Sequence, residues 1–403
     1  MRALGIVCLA LAFTPAVAQV GIKGRIVHTV AGPAIKDGVV LVENGKIKAI
    51  GPASSINIPS GWKTLEAAVV TPGLIDAHGT VGLSGLLNGK DQAHDQEQLE
   101  GSSPIQPELR AIDAYNPLDP LVPYLRSFGV TTVHTGHAPG ETVSGGTIVV
   151  KLHGTTVEEA LVRADAAVAA TLGPGSLKGE KSPGTRGKQM AMLRADLLKA
   201  QEYVAKLAKA KPEEPVSRDL KLDVWAKVLK GETPLMITAQ RAQDIDTALR
   251  LAQEFKLKLW LDGAAESYLL ADALKQASVP VIARASMMRA VGEQANATVE
   301  LPALLRSKGV FITMGSGYEG YVPKTRVILF EAALAAANGL GFDDALAMIT
   351  RDAAQLLGIA DRVGTLQPGK DADIALFDGD PFEYTSHCVG TLIDGKLEFE
   401  GQR

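Results

Sequence analysis

The sequence predicts an α/β protein built as a (β/α)8 TIM-like barrel with a small composite β-sandwich domain formed by the N- and C-terminal segments. Three observations predict it. Both ends of the chain read as short alternating strands with tight turns, and the middle alternates apolar runs with amphipathic helices. At the start of that middle stands a strand, Val69 to Gly82, whose polar residues gather at one tip. Asp76, His78 and Thr80 occupy alternate positions there and share one face.

The 403 residues, 46% of them hydrophobic, suffice for one large domain and a smaller one with a well-buried core. A formal net charge of -4, spread without long single-sign runs, speaks against nucleic acid or an anionic membrane as partner. A small-molecule ligand or another protein is the expected partner.

Met1-Arg2, the apolar run Ala3 to Phe13 and Ala16-Val17-Ala18 have the charged start, short hydrophobic region and A-x-A site of a secretory signal peptide. Cleavage near Ala18 would export the chain to the periplasm or the extracellular space. The run is much shorter than the ~20 residues a spanning helix needs, so no membrane span is expected. Removal of Cys8 with the leader leaves Cys388 alone, without an intrachain disulfide partner.

From Ile22 to Glu66 the chain reads as an antiparallel unit, with Asn44-Gly45 turning Val39–Glu43 into Lys46–Ile50. From Gly364 the same pattern returns, with Asp394-Gly395 between Gly390–Ile393 and Lys396–Glu400. The implied division is 1–18 leader, 19–70 with 360–403 as the composite β domain, and 71–359 as the barrel.

Within the barrel segment, strands are expected at Leu74–His78, Thr131–His134, Thr147–Leu152, Pro234–Thr238, Leu257–Asp262, Val279–Ala283 and Gly309–Met314, with one strand of eight not visible. Helices fill the gaps, as at Asp244–Phe255, where Ile245, Leu249, Ala252 and Phe255 recur at helical spacing. Two insertions, Leu83–Pro120 and Thr171–Gln189, have the length of lids or binding loops.

Val70 to His78, His28-Thr29-Val30 and Gly364-Thr-Leu-Gln-Pro-Gly-Lys-Asp-Ala-Asp373 resemble stretches of the amidohydrolase superfamily. Pro107 to Asp113, Gly129 to Val133, Gly145-Gly146 with Lys151, and Gly231 to Pro234 resemble its exported, imidazolonepropionase-like branch. The resemblance implies hydrolysis of cyclic amide or other non-peptide carbon–nitrogen bonds, assisted by zinc or another divalent metal with an open coordination position.

The resemblance also says where the metal ligands should stand, and most are replaced. His78 matches the first histidine, but Thr80 stands in place of the second, Thr238 and Gln240 in place of two more, and Gly263 at about the position of another. Ser316 takes a threonine position, and Gly317 replaces the aspartate that serves as ligand and base. Such a set cannot hold Zn²⁺ in the family manner, so no cofactor is expected unless the protein is active. The expected protein has a degenerate metal site and binds a ligand at the barrel mouth, or pairs with an active amidohydrolase paralogue or with itself. The alternative is a working hydrolase that uses a relocated metal cluster or a metal-free acid–base pair.

Residues expected at the barrel mouth are Asp76, Thr80, His137, Lys151, His153, Thr238, Gln240, Arg241, Asp262, Arg284 and Ser316, with Glu266 and Glu319 as further strand-end acids. A relocated cluster would draw on His78, His134, His137, Lys151 and His153. His134, with alternating apolar neighbours, also suits a hydrogen-bonded core histidine.

Overall fold

Strand β1 (Gln19–Val27) runs antiparallel to β2 (Ile35–Glu43), which returns as β3 (Lys46–Pro52) through the Asn44-Gly45 turn; both turn residues have positive φ, as a two-residue hairpin requires. This computed structural model describes residues 19–85, 96–211, 215–284, 290–318 and 327–401. The expected leader and Glu319 lie outside the described residues.

The chain continues through β4 (Lys63–Pro72) and β5 (Leu74–Gly79) to β6 (Val130–Thr135), β7 (Val143–Gly146), β8 (Ile148–Lys151), β9 (Leu161–Arg163) and β10 (Val168–Thr171). Then follow β11 (Leu235–Ala239), β12 (Leu259–Gly263), β13 (Val281–Ala283) and β14 (Ile312–Met314). The last strands are β15 (Ile374–Phe377), β16 (Cys388–Ile393) and β17 (Lys396–Glu400).

Both ends of the chain meet in one seven-stranded ladder, β17-β16-β15-β4-β1-β2-β3, because β15 pairs antiparallel with β4. Ile22, Val40, Ile47 and Val70 share an apolar cluster with Ile374, Leu376 and Leu392. Each such side chain contributes about 1.5–3 kcal/mol when buried, so neither end completes its core without the other.

The middle forms two arcs. One is six-stranded, β14-β13-β12-β11-β10-β7, with β10 to β14 parallel, and the other is four-stranded, β5-β6-β8-β9. Gly317 N donates to His78 O at 2.8 Å across one seam, and Thr147 N to Ala167 O at 2.9 Å across the other. Ile75, Ala77, Val149, Ala169, Met236, Trp260 and Ile282, from both arcs, pack into a common interior. The ladder is thus two joined arcs of mixed direction rather than the single ring of eight parallel strands expected from the sequence.

The departure has a local cause. Between Thr135 and Ile148 the chain carries β7 and no helix, and a parallel return needs a helical crossover. β8 therefore comes back antiparallel to β6, pairing Lys151 with Thr132. This reversal carries Lys151 and His153 to the end of the arc opposite the strand tips, which corrects their expected place at the mouth.

There Lys151 is fully buried and donates to Asp371 (2.8 Å), Asp373 (3.0 Å) and Asp394 (2.6 Å), clasping the four-stranded arc to the terminal sheet. Asp371 also meets Lys46 and Arg362 and, despite its burial, is held well below the usual carboxylate range. Asp373, whose second oxygen has no partner among the described residues, is pushed up to about 6 by burial. His153 lies 3.8 Å from Asp394, at the edge of the same cluster.

Replacing Lys151 by Met should destabilise the protein by about 3–5 kcal/mol, because removing one partner leaves buried charge uncompensated. Urea denaturation should show the deficit shrinking from pH 7 to pH 5 as Asp373 takes up a proton. Breaking the exposed pair Lys227–Asp165 with Lys227→Met should cost no more than about 0.5 kcal/mol.

Candidate functional site

Asp76 sits on β5 with 1% exposure and accepts hydrogen bonds from Ser316 N (2.9 Å), the Ser316 hydroxyl and His78 N (3.1 Å). It anchors the segment after β14 against the tip of β5. Burial, only partly offset by those bonds, pushes its pKa up to about 6. Asp76 and Ser316 thus converge as a tie between strand ends.

Beside them, three side chains from three other strand ends meet on one carboxylate. Asp262 at the tip of β12 lies 3.0 Å from His78 Nδ1 and accepts from Thr238 Oγ1 (2.7 Å) and Arg284 Nη2 (2.6 Å). Burial opposes its ionisation, but Arg284, His78 and Thr238 outweigh that and hold the carboxyl well below its usual range. An ionised carboxylate only accepts, so Nδ1 of His78 carries the proton and its 3.3 Å approach to Arg284 Nη2 is a contact between two donors. His78 Nε2 is buried without a partner among the described residues.

Glycines make the room for this arrangement. A Cβ on Gly317 would stand 2.4 Å from Arg284 Nε, and one on Gly263 would stand 2.5 Å from Gln240 Nε2. At both positions the neighbouring long side chain fills the space a side chain would have taken.

A cavity of about 360 Å³ opens above these strand ends, lined among others by Thr171, Thr238, Gln240, Arg284, Glu293 and Tyr318. His78, Asp262, Asp76 and Ser316 do not line it and form the layer behind. Gln240 also accepts from Ala265 N at 3.3 Å.

The remaining expected residues disperse. Thr80 is buried and donates to Ser84. Arg241 is exposed, precedes the helix Ala242–Phe255 and donates to Gly292 O at 3.2 Å, while Glu266 accepts from Ala242 N. His134 is a core histidine between Ala77 O (2.6 Å) and Thr147 Oγ1 (2.7 Å), pushed down to about 3 by burial. Burial likewise lowers His137 to about 4, and neither of its ring nitrogens has a partner among the described residues. The relocated histidine cluster does not assemble, since Lys151 and His153 lie at the far end.

Residues 236–398 match the family model described as "Amidohydrolase family". An amidohydrolase from Thermotoga maritima superposes with a TM-score of 0.88 at 29% identity, covering 95% of this chain and 100% of that one. Together these matches make the chain similar to the amidohydrolase superfamily. Imidazolonepropionase of Rhizobium rhizogenes is 25% identical over 89% of this chain and 91% of its own length. Amidohydrolase tasK of Hapsidospora irregularis is 25% identical over 90% of this chain, which spans 40% of that protein's length.

Amidohydrolases typically use a divalent metal, and the strand-end donors of this chain do not fit one. A protein site for zinc needs at least three ligands of suitable type. Here His78 and Asp262 converge, the carboxylate already faces a guanidinium, and the neighbouring groups are neutral Thr238 and Gln240. Among the described residues no three His, Cys, Asp or Glu side chains form a metal-binding group.

Glu293, Thr171 and Tyr318 line the cavity without having been singled out from sequence. Tyr318 stands just past β14, the last strand of the six-stranded arc, where a strand-end rule finds it. Glu293 comes from the short 3-10 helix Gly292–Gln294, and Thr171 ends β10, whose alanine-rich run Ala166–Ala170 lacks a strand signature.

Asp76→Asn tests the electrostatics of the tie. An acid raised to about 6 in the folded state, against about 3.9 unfolded, contributes stability that is complete below pH ~4 and lost as pH rises through 6. Denaturation curves at pH 4 to 7 should therefore show the wild type losing stability relative to Asp76→Asn across that window, and parallel curves would contradict the assignment.

Proposed function

We propose that this amidohydrolase-superfamily protein binds a small molecule at the strand ends without the family's metal. The observation that carries the proposal is the saturation of Asp262 by Arg284, His78 and Thr238, with Thr238, Gln240 and Arg284 facing the cavity. The Arg284 guanidinium and the side-chain amide of Gln240 there suit a carbonyl or carboxylate oxygen on the ligand. Carbon–nitrogen bond hydrolysis, the reaction the sequence resemblance implies, would place a carbonyl at the same spot. In this proposal the two arcs act as a distorted barrel, and residues 19–70 with 360–403 act as its composite β domain. The chain is exported after cleavage near Ala18, and it works alone, as a homo-oligomer or beside an active paralogue. Among the described residues no helix is long and apolar enough to cross a membrane.

A metal-free hydrolase is the second reading, favoured by the His78–Asp262 pair, which leaves Nε2 as a potential base. Its weakness is position, since His78 is 1% exposed and does not line the cavity.

Elemental analysis of protein purified without chelator, joined to assays on cyclic amides and dipeptides, separates the readings. The proposal expects substoichiometric zinc and manganese and no turnover. Near-stoichiometric metal, or turnover abolished by His78→Ala, would sink it. N-terminal sequencing of protein exported by its native host should give Gln19 as the first residue, and an intact Met1 would refute export through this leader.

A further inference from the structure

We infer that Arg284 is the resident cation of the strand-end site, seated in the space that a side chain on residue 317 would need. This rests on the metal-free reading above and goes further, because it treats the glycine at 317 and the arginine at 284 as two halves of one device. A buried carboxylate such as Asp262 requires a positive partner. Arg284, 11% exposed, supplies it through Nη2 at 2.6 Å from Oδ2. The guanidinium reaches that position only past Gly317, whose missing Cβ would lie 2.4 Å from Nε and 2.7 Å from Cζ. A Cβ there forces the guanidinium to shift from its seat.

The same logic holds one strand over, where Gly263 admits the Gln240 amide. Substitutions that look like simple loss in the sequence have their volume taken up by neighbouring polar groups. Arg284 also keeps donor capacity, since Nε is buried with no acceptor among the described residues and the side chain forms part of the cavity wall. The positive charge facing a ligand is therefore fixed to the backbone of β13's end, and it does not depend on metal supply.

Chemical rescue tests the inference. Arg284→Ala should lower the Tm, and millimolar guanidinium ion should restore at least half of the loss while equimolar sodium or urea does not; failure of that rescue overturns the inference. The steric half is tested by a double-mutant cycle. Gly317→Ala should lower the Tm, and adding Arg284→Ala in that background should cost markedly less than it does alone, because the displaced guanidinium is already lost. Additive effects overturn the inference, and the Gly317→Ala arm stands even if rescue is masked by misfolding of the single Arg284→Ala variant. These outcomes are independent of metal content: stoichiometric zinc in the wild type defeats the metal-free reading, whereas absent rescue or additivity defeats only the role given to Arg284.

Discussion

Asp262 is an acid without exposure at the tip of a parallel strand, and keeping it ionised is the constraint around which the strand-end site is arranged. The unpaired charge would cost several kcal/mol. Its neighbours are set by that demand: Thr238 from β11 donates to one oxygen, His78 from β5 turns its protonated nitrogen to the other, and Arg284 supplies the charge. Four strand ends, those of β5, β11, β12 and β13, are locked together through one side chain. Gly317 donates its N–H to His78 O in the same place, so the seam between the two arcs and the electrostatics of the site share residues.

A second charged cluster sits at the other end of the same arcs and has the opposite construction. Lys151 bridges three aspartates, one of which also meets Lys46 and Arg362, and it is buried, away from the strand-end cavity, and joined to the sheet built from the chain termini. The Asn44-Gly45 and Asp394-Gly395 turns abut there, with Ala372 N bonded to Gly45 O and Gly395 N to Ala372 O. The clasp holds the terminal sheet and the four-stranded arc in register, while the Arg284 cluster shapes a cavity. The two ion clusters thus sit at opposite ends of the arcs and share no residue.

The fold was legible wherever one local rule dominated. Asn44-Gly45 and Asp394-Gly395 announce hairpins because both residues of such a turn need positive φ, and both form. The apolar strands at 74–79, 130–135 and 235–239 lie where their patterns put them. β10 was hidden because Ala166–Ala170 has little strand propensity, and the reversal of β8 was hidden because direction depends on what fills the connection. That reversal removed Lys151 and His153 from the site. The convergence of Asp76 with Ser316, and of His78 with Thr238, Asp262 and Arg284, followed from strand-end placement. What sequence could not convey was that the glycines at 263 and 317 are occupied volumes: a glycine letter carries no sign of the neighbour that leans over it.

What fills the space between His78, Asp262 and Gly317 decides between an arginine and a metal at the strand ends. Crystals of the wild-type protein soaked in zinc and measured at the zinc absorption edge read it directly. The account predicts guanidinium density from Arg284 against Asp262 and no anomalous peak beside His78 and Asp262. A zinc peak within about 2.0–2.2 Å of a His78 nitrogen and an Asp262 oxygen, with Arg284 swung away, would contradict it.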